Sequence, residues 1–249
     1  MTNIKISNIV DFIKALEDDT IESKGIPLTK ARLYRGVPDS EHHRLIPTIG
    51  RGWGNNQKAL LGLERGTLAM FKKRSVPYLD YRPSNDWEWL MLGQHHGLQT
   101  RLLDWTTNPL VALYFACAGE NYSSVDGAVY RRRGDEQFFP EQYADVSIPS
   151  PFDIDKDYFL FPPFISPRIA AQAAAFTISK DPVEPLPTIA SDEWATNDEI
   201  IVNAASKKRL LRQLSELNIN VESLFPDLDG LCKQITEENE NLFKKLILS

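Results

Sequence analysis

Apolar residues along this chain fall into short periodic blocks separated by proline- and glycine-rich breaks. In residues 6–18, Ile9, Phe12, Ile13 and Leu16 recur at helical spacing behind Ser7, a favoured N-cap type, and predict a helix. Residues 31–36 read as a short strand ending at Gly36. Residues 40–56 hold Pro47, Gly50, Gly52 and Gly54 and read as a loop. Two helices follow. The one over 58–74 ends in a basic turn that suits the helix dipole, and the one over 85–96 lies between the cap residue Asn85 and the stop Gly97. A short strand or extended turn is predicted at 100–104, then a helix over 108–118 opened by Asn108-Pro109. Strands are predicted at 127–131, 173–179 and 199–204, and helices at 206–218 and 228–248. Residues 134–166 show no period and read as a long loop, and Pro182, Pro185 and Pro187 as a linker. Strand and helix mix without regular βαβ alternation. The expected class is therefore α+β, with a mixed or antiparallel sheet core flanked by helices and a C-terminal helical segment.

The 249 residues, 42% hydrophobic and 25% charged, suffice for one sizeable globular core. The longest apolar run, Pro109 to Ala118, is half the roughly 20 residues a membrane helix needs, so no membrane contact is expected. The N-terminus alternates apolar and charged positions, unlike a signal peptide, and two cysteines cannot build a disulfide scaffold; both fit a cytoplasmic setting. The net charge of −6 conceals a basic block. Residues 30–105 carry 12 Lys and Arg against 7 Asp and Glu, and hold all four histidines. That excess is either a solvated face or a site for an anion such as a phosphate-bearing ligand.

Four segments could carry chemistry. In Leu33 to Gly36, an arginine at a strand end can present its fork to a phosphate, and the glycine lets the backbone turn at positive φ. Gly93 to Trp105 packs His95, His96, Gln94, Gln99, Arg101 and Asp104 around a glycine stop. Either histidine could act as acid, base or ligand. Asp104 between two apolar residues suggests burial beside Arg101 or Arg35. His42 or His43, with Asp104, could complete a metal set, but no HExxH or CxxC spacing exists, so no metal is expected. In Arg168 to Phe176, Gln172 sits among small residues and offers both donor and acceptor. Asp227 and Asp229 do not continue into a calcium loop and read as a capped turn. Tyr114, Phe115 and Cys117 fall at helical spacing and read as core.

These segments together resemble the FRG domain family, named for an aromatic-Arg-Gly motif. Here the motif is Tyr34-Arg35-Gly36, followed by LIPTIGR at 45–51. QHHGLQTRLLDWTTNPLVALYFA (94–116) is close to the family's second signature. RIAAQAAAF (168–176) matches its Arg-Ile-x-x-Gln-x-Gly-x-Phe pattern, with Ala174 where glycine is usual. Residues 206–231 match its C-terminal segment. The resemblance implies an N-terminal helix over 1–29, an FRG domain over 30–235 containing the loop 134–166, and a C-terminal helix end over 236–249.

The same residues bear a more distant resemblance to ADP-ribosyltransferases, which use an Arg or His on a first strand, a Ser/Thr strand running into a helix, and a Glu on a later strand. Arg35 looks like the first element and Thr106-Thr107 like the second, whereas the third falls at Gln172, a departure that leaves Asp104 or Glu199 to supply the charge. The resemblance implies an NAD-binding enzyme of ADP-ribosyltransferase-like form, a prokaryotic toxin or phage-defence effector with a protein or nucleic-acid target. Arg35, His95, Asp104 and Gln172 would be catalytic. Tyr34, Gly36, Arg101, Thr106, Thr107 and Arg168 would hold NAD or a related dinucleotide. Two other readings stand beside it. One is a nucleic-acid protein using the basic block with Trp53, Trp87, Trp89 and Trp105 as stacking surfaces. The other is a non-catalytic module that binds a partner protein.

Overall fold

The computed structural model describes residues 4–17, 32–52, 56–133, 150–162, 166–186 and 196–247. Its centre is a seven-stranded mixed sheet. The strands are β1 (Ile4–Ile6), β2 (Arg32–Val37), β3 (Leu102–Thr106), β4 (Gly127–Arg133), β5 (Tyr158–Leu160), β6 (Ala174–Ile178) and β7 (Thr196–Val202), in the spatial order β1-β7-β4-β2-β3-β6-β5. Only β1 and β7 pair parallel; every other pairing is antiparallel. Eight α-helices surround it among the described residues: α1 (Ile9–Glu17), α2 (Gln57–Ser75), α3 (Asp86–His95), α4 (Pro109–Cys117), α5 (Pro167–Ala171), α6 (Lys207–Glu216), α7 (Val221–Leu224) and α8 (Leu228–Ile247). The expected α+β class is what the chain adopts.

Helix ends follow local chemistry. The side chains of Asn85 and Asn108 accept from Glu88 N–H and Leu110 N–H, capping α3 and α4. After α3, Gly97 sits at φ 83° while Leu98 N–H reaches back to Gly93 O, the left-handed stop its position predicts.

One sheet face carries two cores side by side. Tyr34, Val129, Ile200 and Val202 pack with α1, α4, α6 and α7. Leu102, Leu160, Phe176 and Ile178 pack with α2 and α3 through Leu68, Trp87, Trp89 and Met91. The opposite face buries Leu33, Leu103, Trp105, Tyr130 and Phe159 under Leu45 and Leu186 from two loops.

Several readings change. Residues 1–29 are not simply a helix: Ile4–Ile6 form a strand paired in register with Ile200–Val202, and Phe12 and Ala15 belong to the main core. The stretch 134–166 contains β5; residues 134–149 and 163–165 lie outside the described residues. Arg168 sits in the short helix α5, capped by Ser166, which no period in the sequence predicts. Trp87, Trp89 and Trp105 are buried core residues, which removes three of the four proposed stacking surfaces; Trp53 lies outside the described residues. No described helix is long and apolar enough to cross a membrane, and no metal-binding group of three or more His, Cys, Asp or Glu exists among the described residues.

Candidate functional site

Strand alternation divides the aromatic-Arg-Gly triplet between the two faces of β2. Tyr34, 5% exposed, faces the helices and packs in the core with α4. Gly36 lies on the same side. A Cβ there would stand 1.8 Å from Ala112 O and 2.6 Å from Ala116 N, so the glycine exists to let α4 touch the strand. It is not among the residues at positive φ, which corrects the turn role expected for it. Both residues are therefore structural; neither is placed to bind a cofactor.

Arg35 points the other way. β2 pairs with β3 through a single bridge, Tyr34 with Thr106, whereas it pairs with β4 over six residues. Arg35 fills the seam beside that bridge. Its Nη1 donates to Asp104 O at 2.6 Å and lies 3.7 Å from the Asp104 carboxylate. Its Nε is buried without a partner. Burial pulls the guanidinium below its ordinary pKa, and Asp104 opposes that shift. The result is a desolvated cation with spare donors at the edge of a seam.

Asp104 is held from the helical side. Thr100 Oγ1 donates to Gln94 Oε1 at 2.7 Å, and Gln94 Nε2 donates to Asp104 Oδ2 at 3.0 Å. Thr100 Oγ1 also accepts from Leu102 N–H. The QHHGLQT segment thus builds a fixed chain from α3 through β3 to Arg35. The Asp104 side chain remains 60% exposed, so its second oxygen is free to meet a ligand. It is not the buried carboxylate its apolar neighbours suggested.

Across the same sheet row, Tyr130 is opposite Arg35 on one side and Glu199 on the other. Glu199 is hydrogen-bonded to Tyr130, and burial raises its carboxyl pKa. The same burial, with Glu199 adding to it, lifts the Tyr130 phenol to about 12.

His95, at the end of α3, stands 3.2 Å from Ser166 Oγ through Nε2. Burial first, then His96 and Arg168, lower its pKa to about 4, against the pull of Asp104. His95 is thus neutral at neutral pH, suited to hydrogen bonding rather than to holding a charge. Below the ordinary value of 6.5 the unfolded chain takes up a proton that the folded chain does not take up until about 4. Stability is therefore expected to fall as pH drops through that window. Urea melts across it should show the loss in the native protein and a flatter profile in His95→Gln; equal slopes would contradict the assignment.

The remaining expected site residues have other partners. Arg101 is 3% exposed and forms a two-point ion pair with Glu64, its Nε donating to Oε1 at 2.8 Å and its Nη2 to Oε2. It is a core fastener and not a ligand-binding cation. Thr106 Oγ1 donates to Gln172 O at 2.7 Å and accepts from Asn108 N–H. Thr107 Oγ1 donates weakly to Ala173 O at 3.4 Å. Gln172 Nε2 donates to Leu224 O at 3.0 Å, tying α5 to α7. Arg168 stacks over Phe225, 4.5 Å to the ring centroid, with Nε buried and unpartnered. Arg35, Asp104 and Gln94 therefore form one contact network. His95 lies beside it, while Gln172 and Arg168 line the α5–α7 side.

Sequence reasoning placed Gln94 in the histidine segment without giving it a role, and did not single out Glu64. Glu64 left a signal: it stands one helical turn from Leu60 and Leu68 on the buried face of α2. A carboxylate on an apolar stripe requires a buried cation, and Arg101 supplies it.

No curated protein and no solved structure matches the chain. A family model described as the FRG domain matches residues 30–124, which run from just before β2 to just past α4 and contain Arg35, Gln94, His95 and Asp104. The chain accordingly carries an FRG domain over residues 30–124.

Proposed function

We propose that the seam between β2 and β3 binds NAD or a related dinucleotide and that the protein transfers ADP-ribose from it. The observation that carries this reading is Arg35: a mostly buried guanidinium with an unpartnered Nε, set against an exposed carboxylate that Gln94 holds in place. A dinucleotide presents that same pair of demands, an anionic pyrophosphate next to ribose hydroxyls. Arg35 takes a phosphate oxygen through its free donors. Asp104 accepts from a ribose hydroxyl and supplies the negative charge that favours an oxocarbenium-like transition state as the bond to nicotinamide breaks. His95, neutral, hydrogen-bonds a second hydroxyl. Gln172 retains its carbonyl oxygen for the ribose, its amide being engaged by Leu224. In this reading Asp104 stands in for the glutamate that the transferase pattern requires and Gln172 lacks. Asp104 fits better than Glu199, whose carboxyl is occupied by Tyr130 and raised by burial. A role as a toxin or phage-defence effector modifying a protein or nucleic acid extends the same proposal.

The test is calorimetric titration with NAD together with chromatographic assay of nicotinamide release and label transfer in lysate. Arg35→Ala is expected to weaken NAD binding by about 10- to 100-fold, the value of a charged hydrogen bond. Asp104→Asn is expected to keep binding within a few-fold and to lower turnover by about 100-fold or more. A native protein that neither binds NAD nor releases nicotinamide sinks the proposal.

A further inference from the structure

The sheet curls back on itself. β4 and β5 lie four places apart in the strand order, with β2, β3 and β6 between them. Even so, Arg132 of β4 sets its guanidinium over the ring of Phe159 of β5, 5.2 Å from the centroid. The face that carries them is therefore concave. It is the face on which Leu33, Leu103, Trp105 and Tyr130 are buried. Arg132 follows Tyr130 by two residues and stands opposite Leu33, so strand alternation turns it to that same side.

Arg132 is 4% exposed, and neither its Nε nor its Nη1 has a hydrogen-bond partner. The other buried cations do have acceptors. Arg101 has Glu64, Arg131 donates to Ala15 O at 3.1 Å, and Lys207 donates to Pro38 O at 2.6 Å and Tyr122 O at 2.9 Å. For Arg132, Asp157 is the carboxylate that acts through space. Among the described residues it makes no bond to the guanidinium, and its Oδ1 accepts from Lys180 N–H at 2.8 Å. Phe159 covers one face of the guanidinium, while the N–H groups point from its edges. A desolvated cation with idle donors destabilises the fold unless an anion pairs with it. Methionine would fill the same space over Phe159 without that cost, so packing does not explain the charge.

We propose that Arg132 anchors a second anion-binding site, on the concave face, and that its ligand presents an oxyanion, phosphate or carboxylate, to the guanidinium edge. The planar fork of arginine matches both groups with paired hydrogen bonds. No charge of the β2–β3 seam is among those that act on Arg132. The inference therefore stands whether or not the domain binds NAD.

Thermal melts and calorimetry test it, with inorganic phosphate and acetate added separately in a low-salt zwitterionic buffer. The full chain carries Arg35→Ala, which removes the seam cation. Phosphate, acetate or both should raise its melting temperature by about 5–10 °C at a hundredfold excess over Kd. Adding Arg132→Met should abolish that rise. Without either anion, the same substitution should raise the melting temperature by about 2–4 °C, because it deletes an unpaired buried charge and keeps the contact with Phe159. An arginine already paired within the fold gives the opposite sign. Arg132→Lys keeps the charge but loses the fork, and should weaken anion binding by about 10-fold. Which anion binds tells a phosphate ligand from a carboxylate. The proposal is overturned if neither anion binds, if the rise persists without Arg132, or if Arg132→Met melts lower than its parent or fails to fold. A native protein that does not bind NAD would end the transferase reading and leave each of these readouts in force.

Discussion

Gly36→Ala is expected to destabilise the protein by about 3 kcal/mol or more, enough to leave little folded domain at physiological temperature. The added methyl has no soft neighbour. It would enter the space of Ala112 O at 1.8 Å and Ala116 N at 2.6 Å, both backbone atoms of α4. Relief requires moving α4 off the sheet, and with it Val111, Leu113 and Tyr114 from the main core. Urea denaturation measures the loss. Gly66→Ala on α2 is the matched control: nothing lies within 4 Å of its Cβ position, and alanine should add up to about 1 kcal/mol through helix propensity. If Gly36→Ala melted like the native protein, the close packing of α4 on β2 would be wrong.

Arg101→Met comes second, at an expected loss of about 3–5 kcal/mol. The substitution keeps volume but leaves Glu64, 5% exposed, as a lone carboxylate between Leu60 and Leu68. It also removes the guanidinium stacked 5.3 Å over Phe152 and its contact to Ser179 O. Removing both charges should be far milder. Glu64→Leu with Arg101→Met deletes the unpaired ion and is expected to return to within about 1–2 kcal/mol of the native protein. The double-mutant cycle is decisive, since a structural pair gives strong coupling. A ligand-binding Arg101 would instead leave stability nearly intact and change binding. Arg35→Ala, by contrast, is expected to stay folded and lose NAD binding, because Arg35 lies at the sheet seam with donors to spare.

The tryptophans and the basic block illustrate how charge and aromatic content mislead when read along the chain. Residues 30–105 have a net excess of five positive charges, a figure that already counts Glu64 and Asp86, the internal partners of Arg101 and Lys72. Trp87, Trp89 and Trp105 fill the core. Arg44, Lys58, Lys73, Arg74 and Arg82 are exposed and spread over the loops and α2, whereas Arg35 is a mostly buried cation with Arg51 near enough to add to its field.

Along the chain, periodicity and capping chemistry were enough to locate most of the long elements. The boundaries of α2, α3, α4, α6 and α8 lie within a residue or two of the predicted spans, because 3.6-residue spacing and Asn or Gly end signals are local properties. The α+β class, the Asn85 and Asn108 caps and the Gly97 stop were legible for the same reason. Elements that exist only through their neighbours were not. Residues Ile4–Ile6 and Tyr158–Leu160 are three-residue strands that make sense only beside β7 and β6. The five-residue α5 and four-residue α7 are too short to show a period. The site divides along the same line. Arginine, histidine, aspartate and glutamine in three motifs marked where chemistry could lie. Which of them face a ligand depended on strand alternation and on which donors the fold had already used. Tyr34 and Gly36 went to α4, Arg101 to Glu64, and the Gln172 amide to Leu224. Arg35 alone among the motif arginines kept a buried, unpartnered donor beside an exposed carboxylate, because β2 and β3 share a single bridge at that point and leave it no strand to satisfy.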